Sequence, residues 1–375
     1  MIQGIHLTLM IGPLVAVPAP QAVMDAFVSA KVTSGKDKSG FQLTFAVSKR
    51  SPLLTTMLPA GYFDPMVTRV ILTVTMGGLP HVIMDGIVTN QELTPSNEPG
   101  QSTLTITGSD LSVLMDIIEL KRPFPGMNET LQVYAVLAPY LALGVTPIAL
   151  PSLFTEFVPP TERTTSQSGT DLSHIRKLTG QTGHVFYVEP GPVPGRSIAY
   201  FGPDIRIPVP QPALNVNMDA ETNVESLSFS LDGQAKEVLV VTLMDPITRK
   251  IPIPVPIPNV SIFQPPLGLR PVPPAKITFP ADNARKTVIE ALNNMMGRLL
   301  QGSTNSITAS GTLNVLRYGH VLRSRMVVGV RGAGIAYDGF YYVDSVTHDL
   351  KRGEYKQSFQ LSRDGLISNT PKVPV

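Results

Sequence analysis

The stretch from Gly311 to Leu366 constrains the fold more than any other part of the chain. It contains the period-2 runs Arg325-Met326-Val327-Val328-Gly329-Val330 and Tyr341-Tyr342-Val343-Asp344-Ser345-Val346. Successive side chains on a strand point to opposite faces, so this period predicts half-buried antiparallel strands. Gly332, Gly334, Gly339 and Gly353 punctuate the runs as turns or bulges.

A similar pattern marks the beginning of the chain. Gly40-Phe41-Gln42-Leu43-Thr44-Phe45-Ala46-Val47 and Val70-Ile71-Leu72-Thr73-Val74-Thr75 alternate, and Gly77-Gly78 predicts a hairpin turn into His81-Val82-Ile83-Met84. Asp85-Gly86 leads into Ile87-Val88, and Ser102 to Gly108 closes the set. Short strands at this spacing indicate an all-β barrel or sandwich. Ser109 to Glu119 reads as a helix with Leu111, Leu114, Met115 and Ile118 on one face.

Between these modules the period changes. Asn128 caps a helix through Leu131, Ala135, Ala138 and Leu141; Thr170-Asp171 caps a second carrying Leu172, Ile175 and Leu178. His184 to Val188 reads as a buried strand. Together these predict a small α/β insertion over residues 121–202. Leu131 to Thr155 carries no charge over about the length of a spanning helix. Pro139, Pro147, Pro151 and Gly144 would strand backbone groups in lipid, which favours a buried helix-turn segment. Met1 to Met10 has no basic region and prolines follow early, so no signal peptide is expected.

Strands are predicted again at Ala213–Met218, Val224–Leu231 and Val238–Leu243. The chain has 36 prolines, about twice the usual share of ~5%, and every second residue from Pro252 to Pro258 is one. That run is expected to be extended chain without a regular ladder or helix, either a stiff linker or a strap lying on a neighbouring subunit. Asp282 to Gly302 is the strongest helix pattern, with Val288, Leu292, Met295 and Leu299 as its stripe.

Motifs for chemistry are missing. With no cysteine, disulfides, thiolate metal sites and cysteine catalysis are all excluded. The six histidines, His6, His81, His174, His184, His320 and His348, share no metal-ligand spacing. Gly329 to Gly334 lacks the strand-loop-helix order of a nucleotide loop and reads as a bulge or hairpin. Asp110, Asp116 and Glu119 lie on one short segment, where spacing identifies no acid-base pair. Neither a GxSxG nor a GxxxxGK[ST] occurs. No catalytic, cofactor-binding or metal residue is therefore assigned, and the net charge of +2 gives no field for nucleic acid. Only 15% of residues are charged, which suits a surface covered by partners. Arg317, Arg323, Arg325 and Arg331 cluster in the last module. They read either as solvated strand faces that protect an edge or as a docking patch for an acidic partner or channel lining.

The order of these pieces resembles a known family. Tyr337-Asp338-Gly339 through His348, the basic turn Lys351-Arg352-Gly353 and the strand Glu354 to Gly365 are similar to the last barrel of the late control protein D family. Members of that family are baseplate hub proteins of contractile phage tails and injection systems. Gly40 to Phe45, Met84 to Val88 and Pro95 to Leu111 resemble the first hub barrel. Thr170 to Leu172 and Gly183 to Pro192 resemble its inserted domain, and Asn223 to Leu227 its return strand.

The resemblance implies a mainly β chain with a small α/β insertion, holding two related antiparallel β-barrels and assembling as a trimeric pseudo-sixfold ring. The implied divisions are a first barrel at 1–120, the insertion at 121–202, return strands at 203–250, a proline-rich connector at 251–280, and a helix plus second barrel at 281–375. It also implies a structural, non-enzymatic role: joining a sixfold tail tube to a threefold spike. Implied partners are two further copies, the tail tube protein, a separate spike protein and other baseplate proteins, with no nucleic acid and no membrane span. Assembly would take place in the bacterial cytoplasm, before incorporation into a phage tail or injection particle. The chain ends about ten residues after its closing strand, so the spike is expected to be a separate protein. The alternative reading is a cell-surface carbohydrate-binding β module, which an aromatic content of 6% and the lack of Trp disfavour.

Overall fold

The computed structural model describes residues 4–13, 15–36, 38–98, 101–152, 165–206, 210–244, 252–256, 264–273, 275–278 and 306–370. The first module comprises β1 (Ile5–Pro13), β2 (Val17–Pro18), the short helix α1 (Gln21–Ala26), β3 (Phe27–Ser34), β4 (Ser39–Val47), β5 (Thr68–Met76), β6 (Leu79–Thr94) and β7 (Ser102–Asp110). The Gly77-Gly78 hairpin is present, because both residues adopt the positive φ that such a turn demands. Asp85-Gly86 does not interrupt its strand; β6 runs straight through it for 16 residues.

The expected helix at 109–119 is only a 3₁₀ turn, Leu111–Asp116. β7 extends to Asp110, whose carboxylate accepts from Ser112 N at 2.9 Å and starts the turn. Pairing resumes at Glu119, leaving too few residues for an α-helix. Leu111 and Met115 are buried, whereas Ile118 is exposed.

The insertion contains β8 (Glu119–Phe124), α2 (Glu129–Leu137), β9 (Val145–Ala149), β10 (Thr165–Thr170), α3 (Asp171–Thr182), β11 (Val185–Pro190) and β12 (Ser197–Gly202). Both predicted caps form: Asn128 accepts from Leu131 N at 2.9 Å and Thr170 from Ser173 N at 3.2 Å. The uncharged segment folds as α2, a 3₁₀ turn and β9; no helix among the described residues is long and apolar enough to cross a membrane. Phe124, Val133, Val136, Leu137, Leu172, Ile175, Leu178, Phe186, Val188 and Phe201 form a separate core. Ile87, Leu111 and Met115 of the first module key into it.

The rest of the chain adds β13 (Pro210–Asn215), β14 (Val224–Leu231), β15 (Glu237–Met244), β16 (Pro252–Pro256), β17 (Gly268–Pro271), β18 (Lys276–Thr278) and β19 (Ile307–Asn314). After the short helix α3's successor, α4 (Val315–Tyr318), come β20 (Val327–Arg331), β21 (Gly339–Lys351), β22 (Glu354–Arg363) and β23 (Gly365–Ser368). The expected helix at 282–302 lies outside the described residues.

Two expectations change here. Rather than two separate barrels, the described residues show one 13-stranded sheet with no closed barrel, whose main path is β14-β19-β22-β21-β3-β4-β7-β6-β5-β1-β2. The join is made by β21, which is long and bulged between Val343 and Ser345. Its first residues pair with β20 and its last six, Val346 to Lys351, pair with β3. A bulge re-aims a strand, which lets one strand serve two modules. The strands expected to return to the first barrel instead pair with C-terminal strands, β13 with β20 and β14 with β19. One apolar core accordingly runs from Leu9, Phe41, Leu43 and Phe45 to Leu313, Tyr341, Phe359 and Leu361.

The alternating prolines also behave differently from expectation. β16 pairs antiparallel with β15, with Ile253 opposite Leu243 and Val255 opposite Val241. Prolines at every second position lack their donors along one side of the strand only. Among the described residues β16 is the edge of its sheet, where one side needs no partner.

Candidate assembly interface

The four arginines singled out in the sequence do not form one patch. Arg317 is exposed on α4. Arg331 is half-buried at the end of β20 opposite Asn215, and its Nη1 is buried without a hydrogen-bond partner among the described residues. Arg323 is exposed, and one of its guanidinium nitrogens lies 3.3 Å from His81 Nδ1. Its backbone N–H donates to Gln211 at 2.8 Å.

Arg325 is an internal fastener, contrary to the solvated-face reading. Its side chain is 6% exposed. It sits 4.0 Å over the Tyr187 ring, 3.4 Å from Glu189 Oε2, and donates to the carbonyls of Gly35 and Lys36. One side chain thus ties the last module to the insertion and to the β3–β4 turn. Burial raises the Glu189 carboxyl, and the Arg325 charge partly offsets that rise.

Two further charged junctions escaped sequence reasoning. Arg69 on β5 forms a bidentate pair with Asp85 on β6, both contacts at 2.7 Å, and reaches Leu143 O at 2.9 Å and Gly195 O at 3.2 Å. Ser197 on β12 donates to the same Asp85 at 2.8 Å, so the pair fastens the insertion to the first module. The second junction centres on Asp204. It accepts from Tyr342 OH at 2.9 Å and Arg206 Nε at 3.2 Å, with Lys36 Nζ 3.7 Å away. The Arg206 guanidinium lies 4.2 Å over the Tyr342 ring. Burial, followed by the Asp204 charge, drives the Tyr342 hydroxyl far above its usual range. The contacts that fasten the modules, Ser197 to Asp85 and Tyr342 to Asp204, join residues more than a hundred positions apart and leave no local motif to read.

The outer sheet surface has a distinct chemistry. Ser226 and Ser228 on β14, Ser310 and Thr312 on β19, Ser358 on β22 and Thr347 on β21 carry hydroxyls there. Cross-strand contacts join Ser226 to Thr312 at 2.8 Å, Ser228 to Ser310 at 3.0 Å and Thr33 to Thr347 at 3.2 Å. Edge strand β14 carries one charge, Glu225, and no proline. Such an edge is open to pairing with another strand. At the other module, Asn90 to Thr94 of β6 pair with β7 but lie beyond the register shared with β5. Among the described residues no group of three or more His, Asp or Glu is placed to hold a metal.

No family model matches the chain, and no curated protein matches it. Solved structures do match along its whole length. The 43 kDa tail protein of prophage MuSo2 from Shewanella oneidensis superposes with a TM-score of 0.63 at 13% identity, covering 97% of this chain and 100% of that one. The tail protein from Neisseria meningitidis MC58 gives 0.59 at 16% identity, covering 97% and 98%. The E. coli c3393 protein, a component of the type VI secretion system, gives 0.52 at 10% identity, covering 93% and 76%. The chain therefore has the fold of these phage tail and type VI secretion proteins.

Proposed function

We propose that the chain is the baseplate hub of a contractile tail or injection system, a non-enzymatic trimer that joins a sixfold tube to a threefold spike. The observation that carries this reading is the end-to-end match to a tail protein, covering 97% of this chain and 100% of the other. The match takes in the insertion and both β modules at once. The sheet is compatible with the ring. It is open, and among the described residues each of its two modules offers a stretch with one side unpaired, β14 in one and the end of β6 in the other. Contacts between unlike edges are heterologous and close when the rotation between copies is threefold. Two joined β modules per chain would then give six around a threefold axis, matching tube symmetry. Light scattering of the purified chain, alone and co-expressed with a candidate spike, tests this reading. A mass near three times 40.4 kDa, with or without three spike chains, is expected. A strict monomer in both samples would remove the ring.

A further inference from the structure

A basic cleft lies between the insertion and the β3–β4 turn. It encloses about 400 Å³ and is lined by Lys36 and Lys38 from the turn, Arg176 and Thr179 from α3, Ser112, and His184 at the start of β11. Its apolar wall is Leu172, Val185 and Phe186, with Tyr187 beside them. Two of the cations, Lys38 and Arg176, are exposed; Lys36 shares its charge with Asp204 at 3.7 Å. His184 is 6% exposed, and its Nδ1 is buried with no hydrogen-bond partner among the described residues. Strand β11, which contributes Val185 to Tyr187 to the wall, is the edge of its three-stranded sheet and pairs only with β12 among the described residues.

We propose that this cleft docks an extended acidic segment of a partner polypeptide, its carboxylates on Lys38 and Arg176 and its backbone beside β11. The cations come from separate elements, the β3–β4 turn and α3, which suits several carboxylates of a peptide better than one compact anion. A free strand edge adds main-chain hydrogen bonds to an extended peptide, as in strand addition generally. Leu172, Val185 and Phe186 are themselves buried, so recognition would rest on the cations and the β11 edge. The inference is independent of the hub reading, since neither residues nor edges are shared with the proposed ring contact.

The test is fluorescence anisotropy with the full-length chain and a labelled peptide of alternating Glu and Val, against its Gln-for-Glu analogue. The acidic peptide is expected to bind at least tenfold more tightly than the analogue and to weaken as salt rises. K38E and R176E should each weaken it about tenfold, an expectation for losing one charge-assisted contact. R317E, the same charge reversal on exposed α4, should leave it unchanged. Inorganic phosphate serves as competitor. Equal binding of both peptides, insensitivity to K38E and R176E, or displacement by low-millimolar phosphate would each overturn the proposal, the last in favour of a phosphate-bearing ligand.

Discussion

The guanidinium of Arg325 lies 4.0 Å from the centre of the Tyr187 ring, so a residue of the last β module is stacked on a residue of the insertion. The two are separated by most of a domain in sequence, and Arg325 itself holds a positive φ of 61°. A non-glycine residue is kept in that region only when its surroundings fix it. Four partners do so here: the ring, Glu189 and the carbonyls of Gly35 and Lys36.

Removing that fastener should loosen the insertion. Arg325→Ala is expected to cost about 2–4 kcal/mol, since it forfeits a desolvated cation–π contact and leaves two carbonyls unpaired. Arg325→Lys keeps the charge but loses the planar fork, and should cost less than the alanine variant. Urea denaturation midpoints would measure both. An alanine variant as stable as the parent would mean the stacking contributes nothing net.

The Arg69–Asp85 pair predicts a larger effect. Its side chains are 6% and 0% exposed, so Asp85→Ala removes a buried carboxylate from a bidentate ion pair, at a cost of about 3–5 kcal/mol. Ser197→Ala should cost about 1 kcal/mol alone, and almost nothing once Asp85 is gone. A double-mutant cycle reads this directly; additivity of the two changes would contradict the shared hydrogen bond.

Acid should destabilise the fold through its buried histidines. Burial lowers His348 to about 3 and His184 to about 4, both from 6.5. Because the unfolded chain takes up these protons first, the stability each contributes is complete above pH 6.5. It is lost as pH falls toward the folded value, at about 1.4 kcal/mol per pH unit for each group. Glu189 and Asp344, whose carboxyls burial raises, act in the opposite sense and are common to parent and variant. His348→Gln retains a hydrogen-bonding partner for Tyr355, which sits 2.7 Å from the ring nitrogen. Stability measured from pH 7 to 4.5 should therefore fall less steeply in the variant; equal slopes would show that His348 does not titrate as described.

Backbone geometry gives a sharper comparison at one turn. Gly332 has φ of 87°, and a Cβ there would fall on the Val216 carbonyl oxygen; Gly334, with φ of 91°, has open space around it. Gly334→Ala should cost about 1–2 kcal/mol from the left-handed conformation alone. Gly332→Ala adds the clash and should cost more, since neither side of that contact is a flexible side-chain tip. Matched thermal melts of the two variants decide it, and equal losses would mean the loop shifts freely.

Local signals were legible and long-range ones were not. The Asn128 and Thr170 caps, the Gly77-Gly78 hairpin and the C-terminal strand period are written in neighbouring residues, and the structure contains all of them. What decides that β3 lies beside β21, or β14 beside β19, is the fit of faces and edges more than seventy residues apart. Alternating prolines read as a break because propensity counts lost donors without asking which side they face. Arg325 read as surface because nothing near it in sequence names Tyr187 or Glu189. The hydroxyl surface went unremarked because Ser and Thr on a strand look like ordinary outward positions.

The ring itself can be tested covalently, since the chain has no cysteine to interfere. Ser228 on β14 and Glu92 near the end of β6 are both exposed and lie on the two stretches proposed to meet between copies. Paired strands bring facing Cβ atoms within about 4.5–5.5 Å, close to the separation a disulfide needs. A chain carrying Ser228→Cys and Glu92→Cys should oxidise to a covalent dimer, then to a closed trimer that runs no larger as oxidation proceeds. Neighbouring pairs at Ser226 and Gln91 cover a register offset of one or two residues. Neither single variant should cross-link, because the contact joins unlike edges. Dimers from Ser228→Cys alone would mean that β14 meets its own copy about a twofold axis, which forbids the threefold ring. A ladder without a limit would mean the edges pair but do not close, making the chain a filament former in place of a hub.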